Sequence, residues 1–162
     1  MLEHLSLAII ADHYPTRDTT PRSLAVAQQY GIPVNIISNF PGTYAHLTLS
    51  VNQDIVLNKG ILGSLYTALF TSPRRHVLVL TPDMHMPNIE MVTELSSVAQ
   101  QYDSVVAALP TLQPIGFGAV YSKMCLGTLW QQLERGQLAV EDFYAQINVY
   151  RYSATKSCSI HP

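Results

Sequence analysis

A three-layer α/β/α sandwich around a mostly parallel sheet is predicted by three features of this sequence. Short aliphatic and β-branched runs recur along it, helical stretches separate them, and several runs are apolar at consecutive rather than alternate positions. Consecutive apolar residues in a strand mean burial on both faces, and strands alternating with helices need the crossover connections of parallel pairing.

The elements follow in order. LSLAIIA (5–11) and IPVNIIS (32–38) read as strands, joined by PRSLAVAQQYG (21–31), whose Ala, Leu and Gln suit a helix that Gly31 ends. After a turn at Pro41-Gly42, QDIVL (53–57) is expected as a short strand. GILGSLYTALF (60–70) is helical, with Leu62, Leu65 and Leu69 spaced for one face. A strand at 76–81 precedes a helix over 87–102, where Asn88 is the expected cap and Ile89, Val92, Leu95 and Val98 or Ala99 the core stripe. Strands at 104–110 and 116–122, a helix over 123–136 stopped by Gly136, a short helix at 138–147 and a strand at 148–153 complete the pattern. Residues 1–153 read as one domain and 154–162 as a poorly ordered tail.

Composition narrows the function. At 162 residues, 48% hydrophobic and 12% charged, the chain is long enough and apolar enough to bury a core. A net charge of −2 with scattered Lys and Arg argues against a nucleic-acid surface. No apolar run reaches membrane-spanning length, and MLEHLSLAIIADHY reads as a first strand rather than a signal peptide. Two cysteines, Cys125 and Cys158, make no disulfide framework, so a reducing cytoplasm is the expected location.

The sharpest local feature is HVLVLTPDMHMP (76–87), a buried-strand run that stops at Pro82-Asp83. An acid just beyond the carboxyl end of a sheet strand sits where open α/β sheets bind ligands, and there it can hold a divalent cation against a phosphate. The alternative is that Asp83 only caps the next helix or makes a turn. Met84, His85 and Met86 are a soft-metal set in principle, Cys125 and the Cys158/His161 pair are weaker candidates, and Tyr144, Tyr150 and Tyr152 read as amphipathic packing. No phosphate-loop, nucleophile-elbow, zinc-protease or dinucleotide fingerprint is present.

Three stretches in order, IIADHYPTRDTTPR (9–22), GILGSL (60–65) and VLVLTPDMHMP (77–87), carry a resemblance to a known family. They resemble the L-A-G-G-x-S-x-R-M-G-x-D-K loop, the G-P-L-A-G-[IL] helix start and the D-M-P strand end of the MobA-like molybdenum cofactor guanylyltransferases. PIGFGAVYSKMCLGTLWQQLERG (114–136) is similar to a later stretch of the same family. The resemblance implies a Rossmann-like sheet of the nucleotide-diphospho-sugar transferase type, and transfer of a guanylyl group from GTP, less readily CTP, to a phosphate acceptor such as molybdopterin. It also implies Mg²⁺ on Asp83, catalytic roles for Arg17, Arg22 and Asp83, and nucleotide-binding positions at Ala11, Asp12, His13, Asp54, Gly60 and Leu62. A protein partner in cofactor insertion is a further implication.

The first loop departs from the family pattern. Asp12 and His13 stand on the two glycines, which elsewhere allow backbone to approach a triphosphate, and Asp12 is expected to bring a negative charge toward the phosphates. Arg17 and Arg22 keep the basic positions, with Arg in place of Lys at the second. The segment after Arg22 is shorter than the pattern, and no N-T-P-E-D stretch appears. A catalytically inactive binding or partner module is therefore the competing expectation. Convergence of Asp83, Gly60 and Arg17 or Arg22 on one rim of the sheet is the structural expectation.

Overall fold

Every residue of the first strand, β1 (Leu5–Ile10), is buried. The computed structural model of the chain describes residues 2–13, 20–101, 105–108 and 117–151. In it Leu5, Leu7 and Ile9 enter one apolar cluster, while Ala8 and Ile10 enter another across the sheet. The strand β4 (His76–Leu80) divides in the same way, with Val77 and Val79 beside Ala8 and Ile10, and Leu78 and Leu80 on the other side. Successive side chains of a strand point to opposite faces, so a strand apolar at almost every position is one covered twice.

Between these two strands come α1 (Leu24–Gln29), β2 (Val34–Ile37), β3 (Ser50–Asn52) and α2 (Gly60–Thr71). After β4 follow α3 (Ile89–Gln101), β5 (Val105–Ala108), β6 (Ala119–Ser122), α4 (Leu126–Glu134), α5 (Val140–Tyr144) and β7 (Asn148–Arg151). The seven strands form one sheet in the order β3-β2-β1-β4-β6-β5-β7. β1 pairs in parallel with β2 and β4, β2 with β3, and β5 with β7, whereas β6 runs antiparallel to both of its neighbours. The register sets Ile9 between Ile36 and Leu80, which fixes the ends of β1 and β4 side by side.

Helices cover both faces. Leu62, Leu65 and Leu69 of α2 join Leu129 and Leu133 of α4 and Phe143 of α5 on one side; Ala27 of α1 and Val92, Leu95 and Ala99 of α3 lie on the other. Burying each Leu, Val or Phe fully is worth about 1.5–3 kcal/mol, so these two layers dominate the stability of the sheet. The α3 stripe uses Ala99 as its last buried position, with Val98 only half-buried. Asn88 caps α3 as expected, its Oδ1 accepting the Glu90 amide at 2.8 Å.

Two helix stops read from glycine have their physical counterpart. Gly31 and Gly136 adopt positive φ, 65° and 69°, and at both helix ends the next two amides fold back onto the last carbonyls: Gly31 to Gln28 and Ile32 to Ala27, Gly136 to Leu133 and Gln137 to Gln132.

One expected element moves. The third strand is Ser50–Asn52, not 53–57, and it pairs with Asn35, Ile36 and Ile37 of β2. Beyond it the Asp54 amide donates to Asn39 Oδ1 at 3.0 Å and the Ile55 amide to Thr67 Oγ1 at 2.9 Å. Side-chain acceptors thus take the place of ladder partners, and Ile55 and Leu57 are left exposed. The first helix begins at Leu24 rather than at Pro21, and a 3₁₀ turn at Lys123–Cys125 leads into α4. Arg17, Tyr152, Cys158, His161 and the expected tail at 154–162 lie outside the described residues.

Candidate functional site

The carboxyl ends of β1, β2, β3 and β4 share one rim, and three sets of hydrogen bonds tie the segments leaving them. The first begins at the end of β1. Ala11 is buried and its amide still belongs to the sheet, donating to Ile37 O at 3.1 Å. Asp12 turns its carboxylate toward the segment after β2, where Oδ1 accepts from Ser38 Oγ at 2.8 Å and Oδ2 from the Asn39 amide. Asn39 in turn donates through Nδ2 to Asp54 Oδ2 at 3.0 Å, while its Oδ1 takes the Asp54 amide at 3.0 Å. A ladder of acid, amide and acid therefore links the ends of three strands. The Asp12 carboxylate, expected to face a phosphate, is held by two local donors. Asp54 Oδ1 is left buried, with no hydrogen-bond partner among the described residues.

The second set joins the β1 segment to α2. His13 Nε2 and Ser64 Oγ lie 2.7 Å apart, with Ser64 itself buried on the second turn of the helix. In the resemblance both positions correspond to glycines, so the two departures are partners: an imidazole and a hydroxyl fill together the space that two missing side chains would leave open. The bond also shows that the amino end of α2, with Gly60 at its start, lies on this rim. Leu62 is wholly buried in the core.

The third set is centred on β4. Thr81 Oγ1 donates to Asp83 Oδ1 at 2.6 Å, and the Met84 amide returns to Thr81 O at 3.2 Å, making a tight turn that holds an exposed carboxylate just past the strand. Asp83 is therefore a turn residue and does not cap α3, since Asn88 does that. The Arg22 amide donates to Pro82 O at 2.9 Å, bringing the chain back beside the same turn, and Arg22 Nη1 makes a loose 3.5 Å contact with His85 Nε2. Arg22 and Asp83 thus flank one turn. Arg17 lies outside the described residues.

The soft-metal set is turned largely inward. Met84 packs against both apolar clusters and its sulfur receives the Thr81 amide at 3.5 Å, Met86 packs against one cluster, and His85 faces Arg22. Cys125 is wholly buried, and burial pushes its thiol from 9.0 up to about 11, away from nucleophilic use at neutral pH. Tyr121 OH and Tyr144 OH meet at 2.8 Å between β6 and α5, and burial raises Tyr121 well above its ordinary value. Ser38, Asn39, Ser64 and Thr81 are the rim residues that pattern reading passed over; polar residues at a strand's end carry a turn signal but not the identity of their partners.

No family model matches the chain. A protein of Clostridium perfringens named "Probable molybdenum cofactor guanylyltransferase" is 31% identical over 99 residues, 60% of this chain and 49% of that protein. One of the same name from Flavobacterium johnsoniae is 28% identical over 104 residues, 64% of this chain and 55% of that protein. The chain resembles the MobA-like guanylyltransferases. It spans about half the length of these relatives. Among solved structures, molybdopterin-guanine dinucleotide biosynthesis protein A of Archaeoglobus fulgidus has a TM-score of 0.67 at 13% identity, over 93% of this chain and 84% of that one. The 2-C-methyl-D-erythritol 4-phosphate cytidylyltransferase of Francisella tularensis has 0.61 at 10% identity, over 92% and 91%. These likenesses show that the chain shares the Rossmann-like α/β fold of those two proteins. Among the described residues no helix is long and apolar enough to cross a membrane.

Proposed function

We propose that this chain is a MobA-like nucleotidyltransferase domain that takes GTP at the carboxyl-end rim and passes its guanylyl group to a phosphate acceptor such as molybdopterin, in the cytoplasm. The observation that carries the reading is the meeting of Arg22 and the exposed Asp83 carboxylate at one turn, on the rim where His13 and the amino end of α2 also lie. Arg22 and the helix end offer positive charge and N–H donors to a triphosphate, and Asp83 offers a carboxylate to a divalent cation.

In this reading the acceptor's phosphate oxygen attacks the α-phosphorus, a new P–O bond forms, the bond from the α-phosphorus to the bridging oxygen breaks and pyrophosphate leaves. Arg22 and Arg17 carry charge for the leaving pyrophosphate, and the His13 ring, fixed by Ser64, offers a further donor where the family has backbone alone. Among the described residues no three His, Cys, Asp or Glu gather to hold a metal. An exposed Asp83 does fit Mg²⁺, which takes one or two carboxylates and completes its shell with phosphate and water. When bound there it would neutralise phosphate charge and orient the α-phosphate.

The second reading, a binding module without turnover, is favoured by the side chains of His13 and Ser64 occupying the glycine positions. Calorimetric titration with GTP, CTP and ATP in Mg²⁺, followed by a pyrophosphate-release assay with molybdopterin, separates the two. GTP binding that weakens in Asp83→Ala, with pyrophosphate released, supports the enzyme. Binding without release supports the module, and no binding of any nucleotide overturns both.

A further inference from the structure

The outer face of the α2/α4 pair is aromatic and uncharged. Tyr66 and Phe70 stack one turn apart on α2 with ring centroids 5.9 Å apart, and Trp130 of α4 lies 5.6 Å from Tyr66, so the three rings make one row across both helices. Leu65, Leu69, Leu129 and Leu133 of the same helices are buried in the core, whereas Phe70 is 57% exposed, Trp130 42%, and Met124, at the turn that opens α4, 58%. We propose that this face docks a second copy of the chain in a two-fold dimer, an inference that does not depend on the nucleotide reading.

Charge favours a copy of the same surface as the occupant. A two-fold contact sets a surface against itself, so a charge near its centre meets its like. The sequence of α2 holds no charged residue, and that of α4 none before Glu134. The ends of the pair differ in sign. Lys123 Nζ donates to Ser72 O at 2.6 Å, which sets the start of α4 at the end of α2, and the contact of Trp130 with Tyr66 shows α4 returning alongside α2 in the opposite direction. Arg74 and Lys123 stand at that end. At the other end are the exposed Glu134, Glu141 and Asp142, with Arg135 and Lys59 offsetting part of their charge; Gln132 Nε2, donating to Ala139 O at 3.0 Å, keeps the start of α5 there. A two-fold axis across the helices lays the basic end of one copy on the acidic end of the other.

Size agrees with this occupant. Side chains as large as these carry about 150–250 Å² each, so at their exposures Phe70, Trp130 and Met124 together leave roughly 300 Å² open. That is over a third of the ~800 Å² each partner gives to an interface of standard size, the share of an apolar centre, and Thr71, Thr128 and Gln131 supply polar edges. Aromatic residues and Met are the types enriched at such centres, and charged residues are those depleted there. Gly127, three residues from both Met124 and Trp130, keeps the middle of the face open, since a Cβ there would meet nothing within 4 Å.

The test is sedimentation of the full chain, without nucleotide, from micromolar to near-millimolar concentration, with the emission of Trp130, the single tryptophan of the sequence, followed over the same range. The mass should double as concentration rises, and the emission should move to shorter wavelength in step with it. Gly127→Glu places a charge in open space at the centre of the face and should weaken the dimer about tenfold or more, while the urea midpoint of the dilute monomer holds or rises because Gly is a poor helix former. Phe70→Ser should weaken the dimer as well. A monomer throughout the range, a dimer undiminished in Gly127→Glu, or a Trp130 already shielded from acrylamide in the dilute monomer, which would put another segment of this chain over the face, would each overturn the proposal.

Discussion

At the scale of single residues, Asp12 shows how a side chain's role depends on what it meets. Its two oxygens accept from Ser38 Oγ and the Asn39 amide, so Asp12→Gly removes a brace between β1 and β2 as well as a charge. Restoring both family glycines with Asp12→Gly and His13→Gly is therefore expected to lower stability by about 1–3 kcal/mol, read as a fall in the urea midpoint, rather than simply to open a phosphate site. His13→Gly alone should be the milder change in stability and the more informative one in GTP titration. Cys125 supplies a pH prediction. Its folded pKa, about 11 against 9.0, means that the unfolded chain loses this proton first as pH rises. The chain should lose stability between about pH 9 and 11, by up to roughly 2–3 kcal/mol from this thiol, with Tyr121 shifting in the same direction. Chemical denaturation across that range should show a shallower decline in Cys125→Ala, and a thiol reagent at pH 7 should label Cys125 only as the chain unfolds.

At the scale of elements, α2 is positioned by contacts that its own sequence does not announce. GILGSLYTALFT carries no charged residue, and its leucines face the core in the expected stripe, but its place on the rim depends on Gly63. A Cβ there would come within 2.9 Å of Lys59 Cβ and 3.0 Å of Val56 O. Gly63→Ala is expected to push the 56–59 turn away from the helix, disturbing the segment that carries Asp54. A loss of about 1–3 kcal/mol, typical of overpacking, together with changed amide shifts at Asp54 and Asn39, would register it; unaltered shifts would show that the turn does not depend on this contact. The strand β4 and its turn form the other well-defined element. Thr81→Val removes the donor to Asp83 while keeping the shape, and should weaken Mg²⁺-dependent GTP binding less than Asp83→Ala does.

At the scale of the molecule, stability rests on the doubly covered centre of the sheet. Leu78, wholly buried beside β1 and β6, contributes to the α1/α3 side of the core, and Leu78→Ala should cost about 2–5 kcal/mol. Its measured destabilisation in urea should exceed that of Leu57→Ala, whose side chain is 62% exposed. The carboxyl-end rim of this sheet carries the proposed activity, with carboxylates, His13 and Arg22 on it.

The apolar runs at 5–10 and 76–80, the leucine spacing of 60–70 and the glycine stops at 31 and 136 are local signals, because burial on two faces, a 3.6-residue period and a positive φ each leave a mark within a few residues. The order of D-M-P-like and G-P-L-like stretches was equally legible and carried the resemblance. Partnership was not legible. That Asp12 reaches Asn39 across 27 positions, that His13 and Ser64 meet across 51, and that β3 lies at 50–52 because Asn39 and Thr67 claim the amides beyond it are consequences of strand order. Sequence sets what each residue offers as donor, acceptor, charge or bulk; only the packed sheet decides which offers meet, because hydrogen bonds and repulsion act over a few ångströms of space and are blind to separation along the chain.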